Sequence, residues 1–233
     1  MDFNIQVRGI LQIGNIELMI TESMINTWII SGILILFAAV VRAKLKNFKE
    51  IPTGFQNVVE YIVEFFDNFV KSTAGERLSY LGNWYFMVFL FIVVSNTSGA
   101  LLMPLMMRPP TADWAVNFTL ACCTLVILHA MSIRYKKRKY FKQYLEPFFI
   151  FLPINVISEL ARPISLSFRL FGNVVSGLII VSLLYGMAPI FVQFGFPLIA
   201  HAFFDLFAGF IQAYVFVIVS MSLIGILSQP SEA

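Results

Sequence analysis

Charged side chains are scarce in this sequence, at 12% of its 233 residues, whereas soluble domains carry about 25%. Between Glu146 and Glu232, only four residues carry charge: Glu159, Arg162, Arg169 and Asp205. Hydrophobic residues make up 59% of the chain, and its mean hydropathy is +0.83. This composition excludes a soluble domain and predicts an integral membrane protein.

Sequence signatures of covalent chemistry are also missing. The chain has no G-x-S-x-G, H-E-x-x-H or phosphate-binding loop, so it is predicted to have no catalytic residue of its own. Its two cysteines, Cys122 and Cys123, are adjacent in an apolar run and match neither a zinc nor a redox spacing. His201 and Asp205 lie four residues apart without a third ligand nearby, so we expect neither a metal nor another cofactor.

Long apolar runs predict an all-α protein with five transmembrane helices in a single membrane domain, residues 1–233. The predicted spans are residues 24–41, 84–103 and 115–133, followed by a hairpin of two long helices over residues 147–228. A helix from Pro153 to Tyr185 would measure about 48 Å. Because the hydrocarbon core is only about 30 Å thick, this hairpin is predicted to be strongly tilted.

Residues 52–71 predict one further helix, which is amphipathic and does not span the membrane. Its apolar positions recur every three or four residues, and three carboxylates, including Glu60 and Asp67, lie on the other face. We therefore expect this helix to lie at the membrane interface. Thr53 and Gln56 form a T-x-x-Q capping box, which is expected to begin it.

Basic residues cluster in two places, residues 42–49 and the loop of residues 134–146, which hold 10 of the 16 Lys and Arg. By the positive-inside rule both clusters are cytoplasmic. Five spans then place the N-terminal segment of residues 1–23 outside and the C-terminus inside. We interpret Lys136–Lys139 as a topology signal and not as a site that binds nucleic acid or anionic lipid, so the expected surroundings are the lipid bilayer without a nucleic-acid partner.

A stripe of polar residues follows the tilted helix at alternating steps of four and three residues, which places it on one helical face. Its members are Asn155, Glu159, Arg162, Leu166 as the apolar exception, Arg169, Asn173 and Ser176. The last helix repeats this spacing at His201, Asp205 and Gln212. If the hairpin turns near residues 190–191, residues at equal depth have numbers that sum to about 381. Arg169 would then lie opposite Gln212, and Ser176 opposite Asp205.

Arg169 has no acid three or four residues away in its own helix, although a mid-membrane guanidinium costs roughly 2.5–3.5 kcal/mol. We therefore expect its counter-ion to come from another protein. Asn155 and Glu159 lie toward the predicted cytoplasmic side, and His201 and Asp205 toward the external side. Two polar half-paths thus meet at a fixed cation, which blocks direct passage of an ion.

Two alternatives remain open. Polar residues in membrane helices often only join helices, which is our interpretation of His129 and, through pairing with Glu159, of Arg162. A stand-alone secondary ion transporter or channel is the second alternative, although neither inverted repeats nor broken midplane helices are visible in the sequence.

The segment Arg162-Pro-x-Ser-Leu-x-x-Arg169-Leu-Phe-Gly-Asn173, followed by Gln212-Ala-Tyr-Val-Phe, resembles subunit a of bacterial F-type ATP synthases. The likeness extends to Pro52-x-x-x-Gln56-Asn-x-x-Glu60, Asn96-x-x-Gly and Pro110-Thr-x-Asp, and covers nearly the whole chain. It implies a stator in the bacterial cell membrane, in the CF(0) sector, that couples hydrogen ion or Na⁺ transport to ATP synthesis. The implied partners are a rotating ring of c subunits, a peripheral stalk of b subunits and the rest of the F1Fo complex.

The resemblance also implies roles for single residues. Arg169 would be the essential ion-coupling residue that faces a ring carboxylate, with Asn173 and Gln212 as its neighbours. Glu159 would be the acid of the cytoplasmic half-channel. Where many relatives have an ionisable group nine residues after the arginine, this chain has Leu178, which leaves Asp205, with His201, in the external half-channel. Further candidates for the ion path are Ser176 and, more weakly, Asn96, Asn155 and Arg162.

Overall fold

A computed structural model describes residues 7–13, 16–45, 54–101, 108–137, 140, 148–187 and 195–228. Its helices are α1 (Glu22–Leu45), α2 (Phe55–Ala74), α3 (Gly82–Leu101), α4 (Trp114–Lys136), α5 (Leu152–Met187), α6 (Phe196–His201) and α7 (Gly209–Ser228). Short 3₁₀ turns cover Glu76–Leu81, Pro110–Ala112 and Phe149–Phe151, and a π-helical segment, Ala202–Ala208, joins α6 to α7.

Five helical stretches in the described part of the chain are long and apolar enough to cross a membrane. They are Glu22–Leu45, Glu76–Gly99, Trp114–Lys136, Leu152–Gly186 and Ile199–Ile226. The predicted all-α membrane fold with five spans is therefore confirmed. The predicted basic loop of residues 134–146 and the hairpin turn near residues 190–191 lie largely outside the described residues.

A short β-hairpin precedes the first span. Strand β1 (Val7–Ile13) pairs antiparallel with β2 (Ile16–Thr21), with Gly9 opposite Ile20 and Ile13 opposite Ile16. No strand is predicted for the segment of residues 1–23, so this hairpin is an addition to the predicted fold.

The amphipathic helix α2 does not begin with the predicted capping box. Its N-cap is Gly54, whose φ of 57° lies in the left-handed region that glycine adopts without strain, and no side chain caps the helix. Gln56 is then the second helical residue and not the third, which a capping box requires, and its Nε2 donates to Glu60 Oε1 at 2.8 Å. Thr53 lies outside the described residues.

The chain forms two compact units. The first comprises Met1–Pro52, Leu90–Asp113 and Phe171–Ala213, and the second comprises Thr53–Phe89, Trp114–Leu170 and Tyr214–Ala233. The boundaries fall inside α3, α5 and α7. In the first unit, buried Asn26 at the start of α1 donates its Nδ2 to the carbonyl of Arg108 at 2.6 Å. The rest of α1 exposes large apolar side chains, which suits a helix in lipid.

In the second unit, α2 packs on α3 through Phe66, whose ring centroid lies 5.0 Å from that of Phe86. At Gly225 of α7, an added Cβ would lie 3.1 Å from the Cα of Ala74, so α7 passes close to the end of α2. These contacts position α2, which is not among the five candidate spans.

Helix α5 has 36 residues, and at 1.5 Å per residue it measures about 54 Å. Its length agrees with the predicted long helix, whereas its tilt in a membrane stays a prediction. Pro163 lies inside it and has no N–H for the carbonyl of Glu159. In the first unit, an added Cβ on Gly177 would lie 2.9 Å from Phe204 Cβ. Because 177 and 204 add up to 381, this contact has the register that the sequence predicts for the hairpin.

Candidate ion-translocation site

A cluster of ionisable side chains in the second unit joins α4 to α5; we call it the glutamate cluster (His129, Tyr140, Glu159 and Arg162). Arg162 Nη1 donates to both carboxylate oxygens of Glu159, at 2.8 Å to Oε1 and 2.7 Å to Oε2. His129 Nδ1 lies 2.5 Å from the Tyr140 hydroxyl and 3.8 Å from Glu159 Oε1. The predicted pairing of Arg162 with Glu159 is therefore observed.

The side chains of this cluster differ in their exposure. The side chain of Glu159 is 11% exposed, whereas those of His129 and Arg162 are 30% and 29% exposed. A carboxylate so little exposed must have its donors supplied by the protein, and Arg162 does this here. The proximity of His129 to Glu159 is not predicted from the sequence, since the two residues lie 30 positions apart on different helices.

Arg169 is exposed, and it forms no ion pair with a described residue of the second unit. One turn away on the same side, Ser165 is exposed as well, and Ser158 and Ala161 continue this face toward the start of α5. We call Ser158, Ala161, Ser165 and Arg169 the arginine face. Apart from Arg169 its side chains are small, so another helix could approach it closely.

The predicted polar stripe does not form one exposed face. Leu166 is only 6% exposed and Glu159 is buried, whereas Arg169 and, in the first unit, Ser176 are exposed. The reason is the helical period. With 3.6 residues per turn, Glu159 and Arg169 point about 80° apart, so the stripe straddles the border between the buried and the exposed side of α5.

A second polar cluster lies in the first unit; we call it the aspartate cluster (Asn96, Thr111, His201 and Asp205). His201 Nδ1 and Asp205 Oδ2 are 2.8 Å apart, and their side chains are 10% and 15% exposed. Asp205 lies within the π-helical segment, a backbone irregularity that is frequent at functional sites. An added Cβ on Gly99 would lie 3.8 Å from Asp205 Cγ, so α3 also borders this carboxylate.

Asn96 joins α3 to the first residue of α7. Its Nδ2 donates to the carbonyl of Gly209 at 3.1 Å, and its Oδ1 accepts from the hydroxyl of the fully buried Thr111 at 2.7 Å. An added Cβ on Gly209 would lie 2.8 Å from Asn96 Cβ, so only glycine fits there. Asn96 therefore holds helices together, and its role in an ion path stays a prediction. Thr111 is the partner that the sequence interpretation missed, although it stands in the quoted Pro110-Thr segment.

Five buried side-chain atoms of the first unit have no hydrogen-bond partner among the described residues. They are Asn26 Oδ1, Ser95 Oγ, Asn173 Nδ2, His201 Nε2 and Gln212 Oε1. Most buried side-chain polar atoms in proteins are paired, so these five are exceptions. Asn173, His201 and Gln212 are predicted ion-path residues, whereas Asn26 and Ser95 are not. Ser176, another predicted ion-path residue, donates its hydroxyl to the carbonyl of Asn173 at 3.0 Å.

The remaining predicted positions contribute less to the geometry. Asn155 is half-buried near the start of α5, and Leu178, which replaces an ionisable group, is half-buried as well. Among the residues that the structure describes, no three His, Cys, Asp or Glu side chains come together as a metal site would require.

Comparison with known proteins identifies the class to which these features belong. The family model described as "ATP synthase A chain" matches residues 24–225. The chloroplastic ATP synthase subunit a of Oedogonium cardiacum is 35% identical over 226 residues, which are 92% of this chain and 84% of the relative. That of Stigeoclonium helveticum is 35% identical over 216 residues, 88% and 83% of the two chains.

The protein is thus a multi-pass membrane subunit of an ion-translocating ATP synthase sector. It belongs to the ATP synthase subunit a family, and its function is ion translocation in the Fo sector. The family match does not support the alternative of a stand-alone transporter.

Proposed function

We propose that Arg169 couples ion flow to rotation by facing a ring of c subunits, and that two polar half-paths lead to it from opposite sides of the membrane. The observation that carries this proposal is the exposure of Arg169 without an ion pair among the described residues of its unit. An unpaired guanidinium in a membrane helix is costly, and a carboxylate on a passing ring would remove that cost.

The sizes of the exposed side chains indicate which side of α5 faces the ring. On one exposed side of α5 are Ile157, Leu160, Ile164 and Phe168, which are 66%, 59%, 43% and 53% exposed. The arginine face carries small residues instead. Because small residues mark helix–helix contacts in membranes and large apolar ones suit lipid, the arginine face meets the rotor and the other side meets lipid.

The two clusters supply the half-paths. The glutamate cluster lies toward the basic end of α4, which the positive-inside rule assigns to the cytoplasm. Glu159 is the acid of this inner half-path, with Asn155 nearer its entrance. His201 and Asp205 form the outer half-path, with Ser176, and the resemblance implies Asn173 and Gln212 as further residues of the ion path. The transported ion is H⁺ or Na⁺, and no resident metal or cofactor takes part.

We further propose that the complex lies in a bacterial plasma membrane, with the N-terminus outside and the C-terminus in the cytoplasm. A peripheral stalk of b subunits holds this stator against the ring, and the F1 sector completes the complex. The basic end of α4, with Arg134 and Lys136 in its last turn, supports this orientation.

Replacing Arg169 tests the proposal. Arg169→Ala should abolish ion-driven ATP synthesis in membrane vesicles while the complex stays assembled. Arg169→Lys should fail as well, because a point charge lacks the planar guanidinium fork. Arg134→Ala, which removes an exposed arginine from the last turn of α4, is the matched control and should keep wild-type coupling. Retention of more than about a tenth of wild-type synthesis by Arg169→Ala, a barrier change under about 1.4 kcal/mol, would refute the assignment.

A further inference from the structure

His129 lies close to Glu159 in the glutamate cluster, and the half-paths described above give it no role of its own. The side chain is 30% exposed, whereas that of Glu159 is 11% exposed. Histidine is the side chain whose ordinary charge change falls between about pH 5 and 8. An ionisable ring therefore lies beside the shielded carboxylate and is more exposed than it is.

A single nitrogen of this ring faces two partners. His129 Nδ1 is 2.5 Å from the Tyr140 hydroxyl and 3.8 Å from Glu159 Oε1. In the neutral ring without a proton on Nδ1, the Tyr140 hydroxyl donates to that nitrogen. Once Nδ1 carries a proton it can no longer accept, and its N–H has two acceptors to choose from: the phenolic oxygen and the carboxylate. Protonation thus makes the carboxylate of Glu159 available as an acceptor for this ring.

We propose that His129 is a proton-relay residue of the inner half-path, which passes protons between the aqueous side and Glu159. This inference rests on the proposed role of Glu159. In the transfer, the N–H bond at Nδ1 breaks and an O–H bond forms at Glu159 Oε1. The imidazolium becomes neutral imidazole and the carboxylate becomes a carboxylic acid; the reverse step returns the proton. The 3.8 Å separation closes to hydrogen-bond distance by a movement of about 1 Å or by one bridging water.

The surroundings of the ring fit this role. Within hydrogen-bond or ion-pair distance, the titratable groups that face His129 in the described part of the chain are Tyr140, from the segment after α4, and Glu159, from α5. Arg162 donates to both oxygens of Glu159, including the Oε1 that lies 3.8 Å from His129 Nδ1. It therefore holds the carboxylate in place beside the ring. No other described residue competes for Nδ1.

Passive proton flux through the membrane sector tests the relay. Vesicles carrying the whole complex are stripped of F1, and flux is followed with a pH-sensitive dye while the exposed side is set between about pH 5 and 8. His129→Gln keeps a hydrogen-bonding side chain of similar size, but this side chain neither takes up nor releases a proton between about pH 5 and 8. We expect the proton flux of this variant to fall on the order of tenfold and its pH dependence to flatten. This loss is smaller than the 10²–10⁴-fold effect typical of a positioned acid or base, because water also reaches Glu159.

Three further variants make the result decisive. Tyr140→Phe keeps the titratable ring and should keep the pH dependence. Tyr135→Phe, which removes a hydroxyl from the same end of α4 that donates to the carbonyl of Arg77 at 3.1 Å, is the matched control and should behave as wild type. Adding His129→Gln to Glu159→Gln should lower flux less than about twofold further, because both act in one path.

The outcomes separate the relay from the proposed half-path. If Glu159→Gln alone leaves flux at the wild-type level, the proposed role of Glu159 fails and the relay fails with it. If Glu159→Gln lowers flux but His129→Gln matches Tyr135→Phe, the relay alone is refuted. If His129→Gln lowers flux with an unchanged pH profile, His129 is a structural residue and the relay is likewise refuted.

Discussion

Cysteine cross-linking along α5 offers the sharpest test of which side of this helix meets a rotor. The native Cys122 and Cys123 are first replaced by serine, and single cysteines are then introduced along α5 and in a facing helix of the c ring. Positions 158, 161 and 165 lie on the arginine face and should form disulfides with the ring. Leu166 and Leu170, which are 6% and 1% exposed, should not.

The expected contrast follows from the packing. To bring Leu166 toward the ring, α5 would have to rotate by about 100°, which removes Leu166 and Leu170 from their contacts. Because lipid is as apolar as leucine, only the packing part of the cost counts, about 1 kcal/mol for each side chain. The sum of about 2 kcal/mol corresponds to a difference in cross-linking of roughly 30-fold.

A second reagent distinguishes the two exposed sides. Cysteines at Leu160 and Ile164 are exposed on the lipid side, so a lipid-soluble maleimide should label them although they do not cross-link to the ring. Cross-links spread evenly around α5, or a yield at Leu166 equal to that at Ser165, would show that the arginine face is not the rotor contact.

Three further predictions concern stability and the two half-paths. Gly209→Ala places a methyl group 2.8 Å from a side-chain carbon of α3 and should destabilise the subunit by about 1–3 kcal/mol. The measurement is the midpoint for thermal dissociation of the complex, which should fall. Gly172→Ala is the control, since Gly172 has open space around it, and should leave this midpoint unchanged. Arg162→Ala leaves Glu159 buried without the donors that Arg162 supplies and should reduce the amount of subunit in the membrane. The double variant Arg162→Ala/Glu159→Gln should restore part of that amount. An equal loss in the single and the double variant would show that the ion pair does not matter. Asp205→Asn should slow passive flux from its own side more than Glu159→Gln slows it from the other, and equal defects would show that water and hydroxyl groups carry the outer path.

Composition and periodicity predict the helical architecture well because the bilayer leaves few alternatives. The predicted span of residues 24–41 corresponds to Glu22–Leu45, and that of residues 115–133 to Trp114–Lys136. In lipid every backbone group must be paired within the chain, so an apolar run of this length forms a helix. The pairing of Arg162 with Glu159 was likewise predictable, since residues three apart in a helix are neighbours.

The features that could not be predicted depend on contacts between distant segments. The burial of Leu166 follows from contacts with neighbouring helices. The spacing of the polar stripe alone does not decide which of its residues lie on the buried side of α5 and which on the exposed side. His129 lies beside Glu159 because α4 packs against α5 at that depth. The start of α2 at Gly54 was missed because Thr53 and Gln56 match a motif, whereas the positive φ of a glycine decided the cap.

Both candidate half-paths lie where a helix departs from regular geometry. Pro163 follows Glu159 by four residues, so the carbonyl of Glu159 has no helical N–H partner, and Asp205 lies in a π-helical segment in which hydrogen bonds join residues five apart. An irregular backbone in lipid is tolerated only where protein or a polar cavity satisfies the freed groups. Glu159 and Asp205 thus share a feature that packing of helices alone does not require. The coincidence of acid and irregularity on two different helices therefore favours paths for ions over simple packing.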